Sequence, residues 1–193
     1  CGLENVIFTN NDSAYETALS LHKSGTKLNA IIDIRDNSSS EIVNKVKSLG
    51  IQIYWNHTIV NTKGYKRINK VTVMKLNDKG NDVIGKKIEL NCDCLAISGG
   101  WTPMVHLFTQ SGGKLKFDNK DNIFVPDKTN LNQLSIGSAK GDFELDDVLK
   151  NSIKDTKKFL QIENSNFDKI DVKCSKEREK KNIWLLPSDK PLS

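Results

Sequence analysis

Between Val6 and Trp55 the apolar residues switch repeatedly between strand-like and helical spacing, and this alternation limits the fold more than any other feature of the chain. Val6–Thr9 is a short strand-like run; Ala14, Ala18, Leu19, Leu21 and His22 recur at helical spacing until Gly25; and Leu28–Ile34 is a second strand. Ile42, Val43, Val46 and Leu49 then form one face of a second helix, stopped by Gly50, and Ile51–Trp55 is a third strand. Asp12 or Ser13 is placed to cap the first helix and Ser38–Ser40 the second, because short oxygen-bearing side chains accept from the free amides at a helix N-terminus. Strands separated by single helices pair in parallel, since only a crossover returns the chain to the same edge.

After Trp55 the period becomes two. Thr58–Thr62, Ile68–Leu76 and Lys87–Leu90 are predicted as an antiparallel meander with its turn in Asn77–Gly85, and Asp93–Ile97 returns as a further strand. The expected class is α/β, a Rossmann-like NAD(P)-type domain over residues 1–97 with a parallel sheet and an antiparallel meander. Residues 98–162 read differently, with a short helix at Met104–Thr109, strands at Leu115–Phe117, Ile123–Val125 and Leu134–Ile136, and a long amphipathic helix over Phe143–Ile162. These are too few apolar positions to close a sheet layer, so the segment is expected to be the C-terminal half of an FAD/NAD-binding domain whose first half lies upstream. That the chain starts at Cys1 rather than Met, without a leader, agrees with this expectation. Residues 163–193 read as a polar linker.

A dinucleotide domain carries Gly-x-Gly-x-x-Gly between its first strand and first helix, so that bare backbone can approach the pyrophosphate. Here that stretch is Thr9-Asn10-Asn11-Asp12-Ser13-Ala14, with no glycine. Side chains there block the approach, and Asp12 repels phosphate at the positive end of the helix. This unit is therefore expected to have lost its own cofactor. Asp33, at the end of the second strand, could bind a ribose hydroxyl or be a plain solvated terminus; the second reading is preferred.

Two glycine turns remain. Ser98-Gly99-Gly100 follows a buried strand, and Gly137-Ser138-Ala139 precedes the long helix. Each fits either a backbone approach to a nucleotide or a simple chain reversal. Cys92 and Cys94 share a strand face, but metal binding needs further ligands and none is near in sequence. His22, His57 and His106 have no nucleophile or carboxylate beside them in a recognisable arrangement, so no catalytic residue is assigned. The net charge of +5 comes from 26 Lys against 3 Arg, spread among acidic residues. Phosphate and base recognition favours Arg, so no nucleic-acid partner is expected. No apolar run nears the roughly 20 residues of a membrane span, so no membrane partner is expected either. Four scattered cysteines fit a reducing cytoplasm.

Three segments in order carry a family resemblance: Asn10-Asn11-Asp12-Ser13-Ala14-Tyr15, the long run from Ser98 through Trp101-Thr102-Pro103-Met104-Val105-His106-Leu107-Phe108 to Leu115, and Phe124-Val125-Pro126. Together they resemble the alpha subunit of heterotetrameric sarcosine oxidase, a flavoprotein with two dinucleotide-binding domains. The likeness runs over about residues 5 to 160. It implies oxidative demethylation of sarcosine to glycine, with tetrahydrofolate and oxygen as co-substrates and hydrogen peroxide as a product. It also implies beta, gamma and delta partner subunits, NAD in the alpha subunit, and FAD and FMN on or beside the beta subunit. Flavin-binding relatives have Gly-Asp where this chain has Gly137-Ser138, and the missing carboxylate agrees with NAD rather than FAD in that pocket. By position, Ser98, Gly99, Gly100, Gly137, Ser138 and Ala139 are implied to line the NAD site. The resemblance places amine oxidation on the partner subunit and leaves this segment inactive alone. A subunit of a related amine, proline or opine dehydrogenase, and a non-catalytic scaffold, are the alternatives.

Overall fold

The computed structural model describes residues 2–162 and, beyond them, Val172, Lys181 and Pro187. The chain divides into two compact units, one comprising Cys1–Gly100 with Arg178–Ser193 and the other Trp101–Glu177.

The first unit opens with strand β1 (Glu4–Thr9), helix α1 (Ser13–Lys23), strand β2 (Lys27–Asp33), helix α2 (Glu41–Ser48) and strand β3 (Gln52–Trp55). Strands β4 (His57–Gly64), β5 (Ile68–Leu76) and β6 (Val83–Asn91) follow, and β7 (Cys94–Ser98) closes the unit. The parallel sheet has the order β3-β2-β1-β7, and β4-β5-β6 form a separate antiparallel sheet. Inserting the meander before β7 brings the returning strand alongside β1, with Thr9 opposite Ser98 and, on the other side, Thr9 opposite Asp33. Three strand ends thus meet at one edge.

Two apolar clusters hold this unit. Ile7 and Ile31 face α1 and α2 through Ala14, Tyr15, Ala18, Val43 and Val46. Val6 and Ile32, pointing the opposite way, meet Ile59, Val71, Val73 and Cys92 of the meander region. The alternation along β1 and β2 therefore feeds two layers, as a sheet covered on both faces requires. β6 starts at Val83, earlier than the expected Lys87, because Val83 and Ile84 pair with Leu76 and Lys75 of β5. The turn shortens to the residues around Asn77, whose side-chain oxygen accepts from the amide of Asn81.

The second unit contains helix α3 (His106–Gln110), a hairpin of β8 (Lys114–Asp118) and β9 (Ile123–Lys128), and helix α4 (Leu145–Leu160). Leu134–Ile136, expected to be a strand, is not one. Ile136 has extended backbone, but among the described residues this stretch belongs to none of the sheets, and an extended segment without a pairing neighbour is not a strand. Residues Gly137–Ala139 form one 3₁₀ turn. Among the described residues no helix is long and apolar enough to cross a membrane.

Candidate functional site

The C-terminal edge of the parallel sheet, where a Rossmann-type unit holds its nucleotide, is built from Thr9–Ser13, Asp33–Arg35, Trp55–Asn56 and Ser98. The loop after β1 is closed by its own side chains. The Thr9 hydroxyl accepts from the amide of Asn11 at 3.1 Å and donates to its carbonyl at 3.0 Å. Asn11 is fully buried, and its side-chain nitrogen lies 3.0 Å from the main-chain oxygen of Ser98, 3.0 Å from the Ser98 hydroxyl and 3.0 Å from Asn10 Oδ1. A glycine loop leaves its amides open to an anion; here side chains occupy the space that backbone alone would leave.

Asp33 overturns the preferred expectation of a solvated terminus, since its exposure is 0%. It accepts from Tyr15 Oη at 2.8 Å, from the Arg35 amide at 2.9 Å, and from Arg35 Nε and Nη2 at 3.0 and 2.8 Å. Nη2 of Arg35 also reaches Asp12 Oδ1 at 2.9 Å. Asp12 begins α1 but makes no side-chain cap, because its carboxylate faces this guanidinium. Burial pulls the Arg35 pKa down, but hydrogen bonding and attraction from Asp33 and Asp12 more than offset it, and the net direction is up. Arg35 Nη1 is buried without a hydrogen-bond partner among the described residues. Tyr15 in turn stacks on Trp55 at 6.1 Å, with Lys47 Nζ 5.5 Å from the centre of the Trp55 ring system. A ribose hydroxyl approaching Asp33 meets a carboxylate already serving four donors.

Sequence reasoning missed Tyr15 and Arg35. The signal was present: residues two apart at the end of a strand lean to one side, and Asp33-x-Arg35 therefore sets opposite charges together.

The residues implied by family likeness fall in both units: Ser98, Gly99 and Gly100 in the first, Gly137, Ser138 and Ala139 in the second. Gly99 and Gly100 are exposed, and Gly100 has φ 100°, a conformation that favours glycine. Ser98 is half-buried and its polar groups are engaged by Asn11. Gly137 is buried, with φ 59°, and its carbonyl accepts from the amides of Lys140, Gly141 and Asp142, which folds the turn tightly before α4. Ser138 is exposed and Ala139 half-buried. Near this turn the second unit has an open cavity of about 430 Å³ lined by Phe108, Pro126, Leu134, Lys140, Asp155 and Phe159. Cys92 is buried, which pushes its thiol pKa up, and Cys94 is half-buried. Among the described residues no cluster of three His, Cys, Asp or Glu side chains could hold a metal. His57 Nδ1 sits 2.6 Å from the Trp55 carbonyl, a structural contact.

No protein-family model matches the chain. It is 32% identical over 145 residues to the sarcosine oxidase alpha subunit of Corynebacterium sp. strain P-1, which covers 74% of this chain and 15% of that protein. To the same subunit of Corynebacterium sp. strain U-96 it is 30% identical, covering 97% of this chain and 19% of that protein. The chain thus spans less than a fifth of the length of these curated relatives. Among solved structures, the thioredoxin reductase of T. acidophilum aligns with a TM-score of 0.52 at 17% identity, over 72% of this chain and 45% of that one. At that identity the likeness concerns the fold alone.

Proposed function

The chain belongs by sequence to the sarcosine oxidase alpha-subunit family, as a segment of those longer proteins, and on that premise we propose that it supplies part of a nucleotide-holding lobe and an assembly surface rather than the amine-oxidising site. The closed edge of the first unit carries this reading. Asn11, Asp12 and the Asp33–Arg35 pair fill the place where a pyrophosphate and ribose sit in a working unit. Any dinucleotide of the whole protein then belongs to the other lobe, which the second unit helps to form.

In this reading the glycine turns Gly99-Gly100 and Gly137 bring main chain toward NAD, Ser98 anchors the first turn through Asn11, and Ser138 and Ala139 flank the second. Their fit is that of backbone without obstructing Cβ atoms: a Cβ added at Gly99 meets nothing within 4 Å. NAD, when bound, supplies a redox-active nicotinamide; this chain's residues would only bind and orient it. The division 1–97, 98–162 and 163–193 is part of the same proposal, with 98–162 completed by upstream sequence. The assembled enzyme would oxidise sarcosine with tetrahydrofolate and oxygen in the cytoplasm, together with beta, gamma and delta subunits carrying or contacting FAD and FMN.

The test is a calorimetric titration with NAD of this chain and of the complete subunit. Saturable binding to the complete subunit and none to this chain is the expected result. Micromolar affinity for this chain, lost on Asn11→Leu substitution, would refute the closed-edge argument. If the complete subunit shows no melting shift at millimolar NAD, the scaffold reading replaces this one.

A further inference from the structure

We propose that the turn between β4 and β5, carrying Tyr65, Lys66 and Arg67, is an anchor of the assembly surface, and that it fits a recess on a neighbouring protein subunit with an apolar floor and carboxylates at its rim. The inference deepens the function proposed above and rests on its reading that the chain contributes an assembly surface.

The turn presents an aromatic side chain and leaves it uncovered. Tyr65 is 97% exposed, and Lys66 and Arg67 beside it are exposed too. Gly64 fixes this presentation: its φ of 151° favours glycine, and an added Cβ would collide with the Arg67 carbonyl oxygen. The chain therefore closes on itself between Gly64 and Arg67, with Tyr65 and Lys66 at the tip. A single exposed aromatic is ordinary on a protein surface. One held on a turn that has no room to relax, with an arginine two residues away, loses little freedom on binding and is of the kind that anchors interfaces.

Charge indicates the partner. Residues 61–70 contain Lys63, Lys66, Arg67 and Lys70 and no acidic residue. Lys63 and Lys70 stand opposite each other across the strand pair, a like-charge placement that weakens a hairpin, and Glu89 on β6 accepts from both, at 2.6 and 2.7 Å. Arg67, whose side chain is 73% exposed, has Asp93 at 3.7 Å, beyond hydrogen-bonding distance, while the two Asp93 oxygens accept from the amides of Leu3 and Glu4. Four cations face two carboxylates, so the tip is positive. An acidic rim complements that excess, and the phenol ring calls for an apolar floor with an acceptor for its hydroxyl. A protein recess suits this tip better than a nucleic acid does. One short turn reaches few phosphates along a backbone, whereas a single recess is filled by one aromatic anchor with charges around it.

The experiment is hydroxyl-radical footprinting of the complete subunit, alone and assembled with its partner subunits, with the buried Tyr15 as internal reference. Modification of Tyr65 is expected to slow by about fivefold or more on assembly while that of Tyr15 stays unchanged. Lys66→Glu is expected to weaken assembly about tenfold at low salt, and Lys66→Arg to preserve it. An assembled complex in which Tyr65 reacts as fast as in the free subunit overturns this surface and leaves the assembly reading standing. A subunit that sediments alone in the presence of its partners rejects both. Equal weakening by Lys66→Arg overturns the carboxylate-rimmed recess, because charge is then not what the partner meets. Saturable binding of the free subunit to a DNA duplex or to phosphatidylserine vesicles, lost in Lys66→Glu, also overturns the proposal by giving the tip a phosphate partner instead.

Discussion

The two units use similar local patterning to opposite effect. In the first, α1 and α2 bury Tyr15, Val43 and Val46 against β1 and β2, and the far face of the same strands buries Ile32 and Val6 against the meander. In the second, α4 is amphipathic but buries no residue, and the buried apolar side chains among the described residues are Pro103, Phe108, Ile123 and Val125. Leu107 is 82% exposed, Phe124 57% and Leu145 54%. Amphipathicity marks the face a helix would bury; a core exists only where a second layer meets that face. The first unit contains both layers of its own core, whereas among the described residues the second buries few apolar side chains.

The largest effect this contrast predicts is in exchange protection. Amides of residues 5–97 should exchange at least about 100-fold more slowly than those of residues 104–160 at their slowest sites, since opening of the second unit exposes little that is buried. Comparable protection would mean that the second unit has a core of its own, and the contrast would collapse.

Next in size is the response to breaking an ion pair. Arg35→Met removes the guanidinium shared by the buried Asp12 and Asp33, whose side-chain exposures are 10% and 0%, and should destabilise the first unit by about 3–5 kcal/mol in urea unfolding followed by far-UV circular dichroism. Adding Asp12→Asn and Asp33→Asn should recover part of that loss. Lys140→Met removes the corresponding pair of the second unit, Lys140 with Asp155, whose side chains are 41% and 22% exposed, and should change stability by no more than about 0.5 kcal/mol. A similar cost for both substitutions would contradict the contrast.

A smaller effect sharpens it. Ile32→Val trims one methyl from a packed cluster and should cost about 1 kcal/mol, whereas Leu160→Ala, at 56% exposure, should stay within about 0.5 kcal/mol in this chain.

The same contrast explains what could be read from the sequence. Strand and helix positions in the first unit were legible because each apolar residue has its partner layer within the chain, so local period and final burial agree. Leu134–Ile136 was misread for the opposite reason: its apolar residues suit a strand, but strand character depends on a hydrogen-bonding neighbour that is not among the described residues. At the edge, the absence of glycine was plain from Thr9–Ser13, yet what replaced it was not. Periodicity says nothing about Tyr15 reaching Asp33 across 18 positions, or Asn11 reaching Ser98 across 87. Such contacts depend on the order β2-β1-β7, which emerges only once the meander is set aside as an insertion.

The smallest test asks whether the order of the first unit owes anything to surface charge as well as to its layers. Glu89 on β6 accepts from Lys63 and Lys70 at 2.6 and 2.7 Å, and these hydrogen bonds lower its pKa to about 2. A carboxyl held below its unfolded value, about 4.3, binds fewer protons folded than unfolded at intermediate pH. Its contribution is therefore complete above the unfolded pKa and is lost as pH falls through the folded one. Glu89→Gln should flatten the stability slope between about pH 4.3 and about pH 2 by lowering stability slightly near neutrality and leaving it unchanged below about pH 2, the loss being small because the carboxylate is solvent-exposed and salt screens such pairs. Measuring the slope at low and high salt separates this from the buried cluster. The Glu89 contribution should fade with added salt, and the loss caused by Arg35→Met should persist, since ions cannot enter the space that Asp33 and Arg35 occupy. A neutral-pH loss in Glu89→Gln as large as that in Arg35→Met would assign the stability of the first unit to its exposed meander face and not to its two buried layers.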